Sequence, residues 1–318
     1  MPSLANLPVE IWDRIIDDAA GPIYPISNTD VPWIHSPRSE SLLRATRKRR
    51  LCRLQLFSGV ARTWRELCVT LSYETFLIEG GNPTPLGRLL NTQLAQFPSL
   101  FRRVRRLVVH FPCPGLSFIH ESIDPFVILI GKMPALQDLA VHVSPFRSKH
   151  EYRLLEEGIM EALRLIGHRL LFLQIQEPMD QDLSHGCVLT HRNIGTLSAL
   201  APNLTRLICA VEVDEPCLSD PAPNFPSLQI LHMQLHADRQ KQASAHNWIQ
   251  RWRLGALKQF CIGYHADPST WEWITMLLAG NNGRNLEVFG VAVCISPVPI
   301  VEKSPSIQYI DKRSPLAH

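Results

Sequence analysis

Read for an apolar residue, two variable ones, an apolar residue, one variable one and a further apolar one, the chain gives seven matches. They are Val104-Leu107-Val109, Leu136-Leu139-Val141, Leu170-Leu173-Ile175, Leu204-Leu207-Cys209, Leu228-Leu231-Met233, Leu257-Phe260-Ile262 and Leu286-Phe289-Val291. Their first residues are spaced by 32, 34, 34, 24, 29 and 29 positions. The alternation in each predicts a short strand with one face buried, and the near-regular spacing predicts a repeat. Pro98, Pro134, Pro202 and Pro226 introduce several of the segments and stop whatever helix precedes them. Thr75 to Glu79 adds a leading strand to this series, and Ser306 to Ile310 a trailing one.

Helical stretches separate the strands. Glu151 to Ile166 places Leu154, Leu155, Ile159, Leu163 and Ile166 near a 3.6-residue period, with Gly167 as its stop. Asp267-Pro268-Ser269 opens a second helix over Thr270 to Ala279, closed by Gly280. Thr84 to Gln96 and Ser244 to Arg253 read similarly. From about residue 100 to 310 this pattern resembles the leucine-rich repeat, in which strand and helix units stack into a curved solenoid. The asparagine of that family falls here on Pro112, Ser144, Pro178, Glu212, His236, His265 and Cys294.

The N-terminus carries a different signature. Leu7-Pro8-Val9-Glu10-Ile11, with Ile15 and Ile16 following, predicts an amphipathic helix opened by proline. A second helical stretch runs from Phe57 to Leu67 and contains Arg62, Trp64 and Arg65. Together these resemble an F-box, whose pattern is matched by Leu7, Pro8, Glu10, Ile11 and Ile15 and then by Arg62, Trp64 and Arg65. The chain departs from that family in a proline-rich insertion over about residues 21–50 that ends in a basic run. Loop entropy grows slowly with length, so such an insertion is tolerable.

The two resemblances divide the chain into an F-box-like helical module over residues 1–74 and an irregular leucine-rich-repeat solenoid over 75–318, an α/β fold. They imply a substrate receptor of a cullin-RING ubiquitin ligase. Leu7, Pro8, Ile11, Ile15, Val60 and Trp64 would dock on the Skp adaptor, which links to the cullin. The solenoid would hold an unknown target protein and raise its local concentration near the ubiquitin-carrying enzyme. The other reading of the same residues is a non-catalytic repeat scaffold whose N-terminal helices only cap the solenoid.

If the strand register is regular, two columns point from the concave face. One is Val108, Ala140, Gln174, Ile208, His232, Cys261 and Gly290; the other is His110, His142, Gln176, Ala210, Gln234, Gly263 and Ala292. Neither contains a charge. His110, His142, Gln174, Gln176, His232 and Gln234 are therefore the candidate target-binding residues, suited to a neutral polar surface.

Composition narrows the classes. Of the 318 residues, 45% are apolar and 19% charged, which fits a packed core and excludes a mainly disordered chain. The net charge of +3 does not indicate a nucleic-acid binder. The basic run Arg44, Arg47, Lys48, Arg49, Arg50, Arg53 lacks interleaved aromatic residues for stacking bases. A second basic group, Arg102, Arg103, Arg105 and Arg106, flanks the first repeat strand. The N-terminus has no signal-peptide pattern, and no apolar run reaches the length of about 18 residues that a bilayer requires. The eight cysteines include no Cys-x-x-Cys pair. The expectation is an intracellular protein, cytoplasmic or nuclear, with reduced thiols and no membrane association.

Candidate chemistry is thin. His185-x-Cys187-x-x-x-His191, with Asp180 and Asp182 nearby, is the densest group of possible metal ligands, but it lacks structural-zinc spacing. His232 and His236 on one strand would stand roughly 13 Å apart at about 3.3 Å per residue. No nucleophile elbow, phosphate loop or zinc-protease motif is present. No catalytic residue, cofactor or metal is expected, and the chain is not read as an enzyme.

Overall fold

A computed structural model of the chain describes residues 8–20, 37–78, 98–111, 116–143, 149–176, 189–213, 222–237, 248–265, 277, 282–294 and 308–311. The N-terminal part is three helices: α1 (Val9–Ala20), α2 (Pro37–Ser58) and α3 (Arg62–Glu74). The Pro8 carbonyl accepts the Ile11 and Trp12 N–H groups at 3.1 and 3.2 Å and so opens α1. Pro37 stands at the first position of α2, where its missing N–H costs nothing. The second half of the expected insertion is thus helical, and residues 21–36 lie outside the described residues. The stretch from Phe57 to Leu67 is broken by a turn, in which Gly59 N–H and Val60 N–H donate to the Leu56 and Phe57 carbonyls at 3.1 and 3.0 Å.

From Thr75 onward the chain builds a sheet. Its strands are β1 (Thr75–Ile78), β2 (Arg106–Phe111), β3 (Asp138–Val143), β4 (Phe172–Gln176), β5 (Leu189–Thr190) and β6 (Arg206–Val213). They continue with β7 (Ile230–Ala237), β8 (Gln259–His265), β9 (Val288–Cys294) and β10 (Gln308–Asp311). The order is that of the sequence, except that the short β5 pairs with β6 from outside the main path. Strands β1 to β9 are parallel, and β10 closes the far edge antiparallel to β9.

Six apolar triplets of neighbouring strands stand in one register, and the seventh continues it. Leu107, Leu139, Leu173, Leu207, Leu231, Phe260 and Phe289 form one row across the sheet. The residue that starts each triplet lies in the turn before its strand. There Val104, Leu136, Leu170, Leu204, Leu228, Leu257 and Leu286 each donate an N–H to the carbonyl three residues earlier. Each rung is also tied to the next by a doubly used carbonyl. That of Arg105 accepts from Gln137 and Asp138 N–H, and those of Gln137, Leu171, Thr205, Gln229 and Lys258 repeat the arrangement.

The helices α4 (Pro98–Phe101), α5 (Leu116–Gly131), α6 (Lys149–Ile166) and α7 (His191–Leu200) belong to this unit. Phe126 and Leu129 from α5, Leu155, Ile159 and Leu163 from α6, and Ile194 and Leu197 from α7 pack on the inner row of the sheet as one apolar core. A Glu156 carboxylate fixes α6 to the sheet by accepting the Thr190 N–H at 2.5 Å, while Arg153 bridges Glu156 and Glu212 at 3.0 and 3.3 Å.

The expected leucine-rich-repeat solenoid is overturned. The architecture is α/β: one sheet of nine parallel strands plus an antiparallel edge strand, with helices against it. Among the described residues, the longer helices of this unit occupy only the connections after β2, β3 and β5. Nor is the opposite face open. Val108, Ala140, Gln174, Ile208, His232 and Cys261, the column expected on a concave surface, are all buried. The physical reason lies in the pattern itself. An alternating triplet encodes a strand with one apolar face, and that local pattern does not determine whether the sheet so built curves into a solenoid. The expected helix over 84–96, and that over 270–279 apart from Leu277, lie outside the described residues; of that over 244–253, residues 248–250 are helical, 251–253 are not, and 244–247 lie outside.

Candidate docking surface

The three N-terminal helices own a small core. Ile16 and Ala20 of α1, Leu54 of α2, and Cys68 and Leu71 of α3 are buried together, with Phe57, Trp64 and Leu67 packed against them. Trp64 is the hub: its ring lies 5.1 Å from Trp12 and 6.1 Å, edge-on, from Phe57. Arg50, in the basic run, is buried and donates to Asp17 of α1, while Arg53 reaches the Ala20 carbonyl at 3.4 Å. Part of that run therefore fastens α2 to the end of α1.

What this core leaves outside is apolar. Pro8, Ile11 and Ile15 follow at helical spacing along α1 and are exposed, Ile11 at 44% and Ile15 at 42%. Val60 in the turn is 63% exposed, and Leu56 beside it 73%. The sequence-predicted docking residues thus divide. Pro8, Ile11, Ile15 and Val60 face outward, Trp64 serves the small core, and Leu7 lies outside the described residues. The signal for the division was available, since Ile11 and Ile15 are four apart, whereas Trp12 and Ile16 share the neighbouring stripe.

On the sheet, His110 and His142 stack face to face at 4.6 Å with an interplanar angle of 8°. Burial first, and the His110 charge second, lower the His142 pKa to about 3. His232 is lowered to about 3 as well, by burial and then by the Arg206 charge, and its Nε2 meets Gln259 Nε2 at 3.2 Å. Gln174, in the same column as His232, is buried, and the side chains of Gln176 and Gln234 lie outside the described residues. At the strand entrances Arg106 donates to Asp138 through Nε at 2.8 Å, and the Arg206 guanidinium lies 5.0 Å over the Phe172 ring. Three members of the second basic group are thereby engaged: besides Arg106, Arg105 pairs with Glu74 at 3.4 Å, and Arg103 donates to Thr70.

Among the described residues, no group of three His, Cys, Asp or Glu side chains could hold a metal ion. His191, the described member of the sequence-predicted ligand group, is buried with its ring edge-on to Trp248 at 5.8 Å. Burial pushes the Cys209 thiol up to about 12 and raises that of Cys68. No described helix is long and apolar enough to cross a membrane. No protein-family model matches the chain, and no curated protein matches it in sequence.

Proposed function

We propose that this chain is a substrate receptor whose helices α1 to α3 dock on a Skp-type adaptor of a cullin-RING ubiquitin ligase, while the parallel-sheet unit carries the target. The observation that supports this most is the set of exposed apolar residues, Pro8, Ile11 and Ile15 at helical spacing and Val60 in the turn between α2 and α3, left outside a module that already has its own core. Exposed apolar residues on one helix stripe are the form in which a partner helix is received. The receptor does no chemistry of its own. It holds the target near the charged ubiquitin carrier, which raises the effective concentration of target lysines.

The test is co-expression with a Skp adaptor, followed by affinity capture and size exclusion. Wild type should co-elute stoichiometrically, and Ile11→Asp with Ile15→Asp should elute alone with unchanged circular dichroism. A folded wild type that stays alone overturns the reading. One observation favours a second reading, a non-catalytic interaction scaffold whose helices only cap the sheet. α3 runs directly into β1, and the Glu74 carbonyl accepts the Arg105 N–H at 2.9 Å. Under that reading wild type and the double variant both elute alone, since there is no complex to lose.

A further inference from the structure

Helices α5 and α6 lie side by side on the sheet, and an open groove of about 820 Å³ runs along their outer seam. Its floor is apolar: Ile123, Val127 and Ile128 from α5, and Leu154 from α6. Ile128 is 53% exposed, so this seam leaves apolar surface to solvent. Gly158 sets the depth. A Cβ there would stand 2.6 Å from Ile123 Cγ2, so α5 and α6 are at closest approach beneath the groove.

The rim is acidic. Asp124, Glu157 and Glu161 line it, with Arg164 as the one cation among the described lining residues, giving three negative charges less one, or a net −2. Arg164 is tied to Glu161. Asp124 and Glu157 have no ion-pair partner among the described residues. On a chain of net charge +3 this is a local inversion of sign. Leu154, Glu157, Glu161 and Arg164 follow at helical spacing along α6 and span ten positions, about 15 Å at 1.5 Å per residue.

We infer that this groove receives a basic amphipathic helix of a target protein, about three turns long, its apolar stripe on Ile123, Val127, Ile128 and Leu154 and its Lys and Arg residues against Asp124, Glu157 and Glu161. A seam between two packed helices offers the ridges and grooves into which a third helix fits. The apolar floor supplies affinity, and the unpaired carboxylates supply the choice of sign. Acidic helices and nucleic acid are repelled by the same rim. As the target side of the receptor proposed above, the inference rests on that reading; as a binding site it is measured on the full chain with no adaptor present, so the two fail separately.

The probe is a fluorescent synthetic helix of about fifteen residues, with Leu at positions i, i+3, i+4 and i+7 and Lys elsewhere. Two controls accompany it: a scrambled peptide of the same composition, and a version with Glu in place of Lys. Fluorescence anisotropy should show saturable binding of the Lys helix that weakens with salt, and at least about tenfold weaker binding of both controls. Ile128→Asp, and separately Asp124→Lys with Glu157→Lys, should each weaken it about tenfold while melting as wild type does. Adding Glu161→Lys to that pair should transfer preference to the Glu helix. Should Ile128→Asp fail to fold, the charge variants on the exposed rim decide alone. No binding of the Lys helix up to about millimolar concentration overturns the inference, as does equal binding of the scramble or of the charge variants. Self-association that the charge variants abolish would give the groove to a second copy and overturn it too.

Discussion

The Arg50 guanidinium, only 5% exposed, reaches across from α2 to Asp17 on α1, donating to its carboxylate and, at 3.3 Å, to its backbone carbonyl. The two ends of the pair are unequal, because the Asp17 side chain is 48% exposed. Removing the exposed acid takes the carboxylate from a buried cation that keeps its bond to the Asp17 carbonyl, whereas replacing the buried cation by an apolar side chain of similar length removes the demand for a counter-charge. Asp17→Ala should therefore destabilise the N-terminal module by about 1–2 kcal/mol, and Arg50→Met by less. Urea unfolding followed by circular dichroism ranks the two. The reverse order would mean that the pair contributes chiefly through the stem of Arg50 packing on α1.

Two glycines at equal calculated closeness should respond differently to a methyl group. A Cβ on Gly158 meets the Ile123 side chain at 2.6 Å, whereas one on Gly167 meets the Leu200 backbone carbonyl oxygen at the same distance. Side chains yield and backbone does not. Gly158→Ala should cost about 1–3 kcal/mol, and Ile123→Ala in the same chain should recover part of it, since the contacts with Ile123 Cγ2 and Cγ1 at 2.6 and 3.2 Å are then gone. Gly167→Ala should cost at least as much, with no single side-chain truncation restoring it. Thermal melts of the three single variants and the double variant separate these outcomes.

The contrast between strand and face shows what the sequence carries. Leu107, Leu139 and Leu173 announce their strands because period-two alternation is a local property, and their common row follows from equal offsets within each segment. Burial of the opposite face is not local. Gln174 and His232 read as exposed because the register sets them on the face opposite the apolar row, yet both are buried. His232 satisfies its ring through Gln259, a partner one strand away that spacing along the chain does not reveal. Helix α5 escaped notice because Pro125 interrupts it and its apolar residues form a run with little periodicity. Residues 37–50 read as loop because Pro37 and the charges obscured a helix that Pro37 in fact begins. The outward stripe of α1 was legible, since Ile11 and Ile15 obey helical spacing. Groove and rim between α5 and α6 required knowing that these two helices are neighbours.

Asn282 is a second buried tie whose chemistry can be tested one atom at a time. Its Oδ1 accepts the Leu254 N–H at 2.7 Å, and its Nδ2 donates to the Trp252 and Leu277 carbonyls at 2.9 Å each. One side chain thus satisfies three backbone groups, two in the segment before β8 and one, that of Leu277, between β8 and β9. Asn282→Ala orphans them and should cost about 2–4 kcal/mol. Asn282→Asp keeps the shape but turns an oxygen toward two carbonyl oxygens, and should cost more near neutral pH than in mild acid, where the carboxyl can donate. Chemical unfolding of both variants at two pH values checks the sign as well as the size.

The two depressed histidines make stability depend on pH in a stated direction. His142 and His232 take up a proton near the ordinary 6.5 in the unfolded chain but only at about 3 when folded. Between those values the unfolded state binds more protons, so stability is full above the upper value and declines as pH falls. The slope reaches at most about 1.4 kcal/mol per pH unit for each histidine, less for His142, which keeps some exposure. The groups facing them set the same sign: Arg206 opposes a charge on His232, and His110 opposes one on His142. His232→Gln should flatten the decline while leaving the stacked pair intact, and His142→Gln should flatten the remainder. Urea unfolding free energies across mildly acidic pH, where carboxylates are still ionised, isolate the two contributions. A wild-type curve that stays level there would mean that both sites admit water and let their histidines protonate in the folded state.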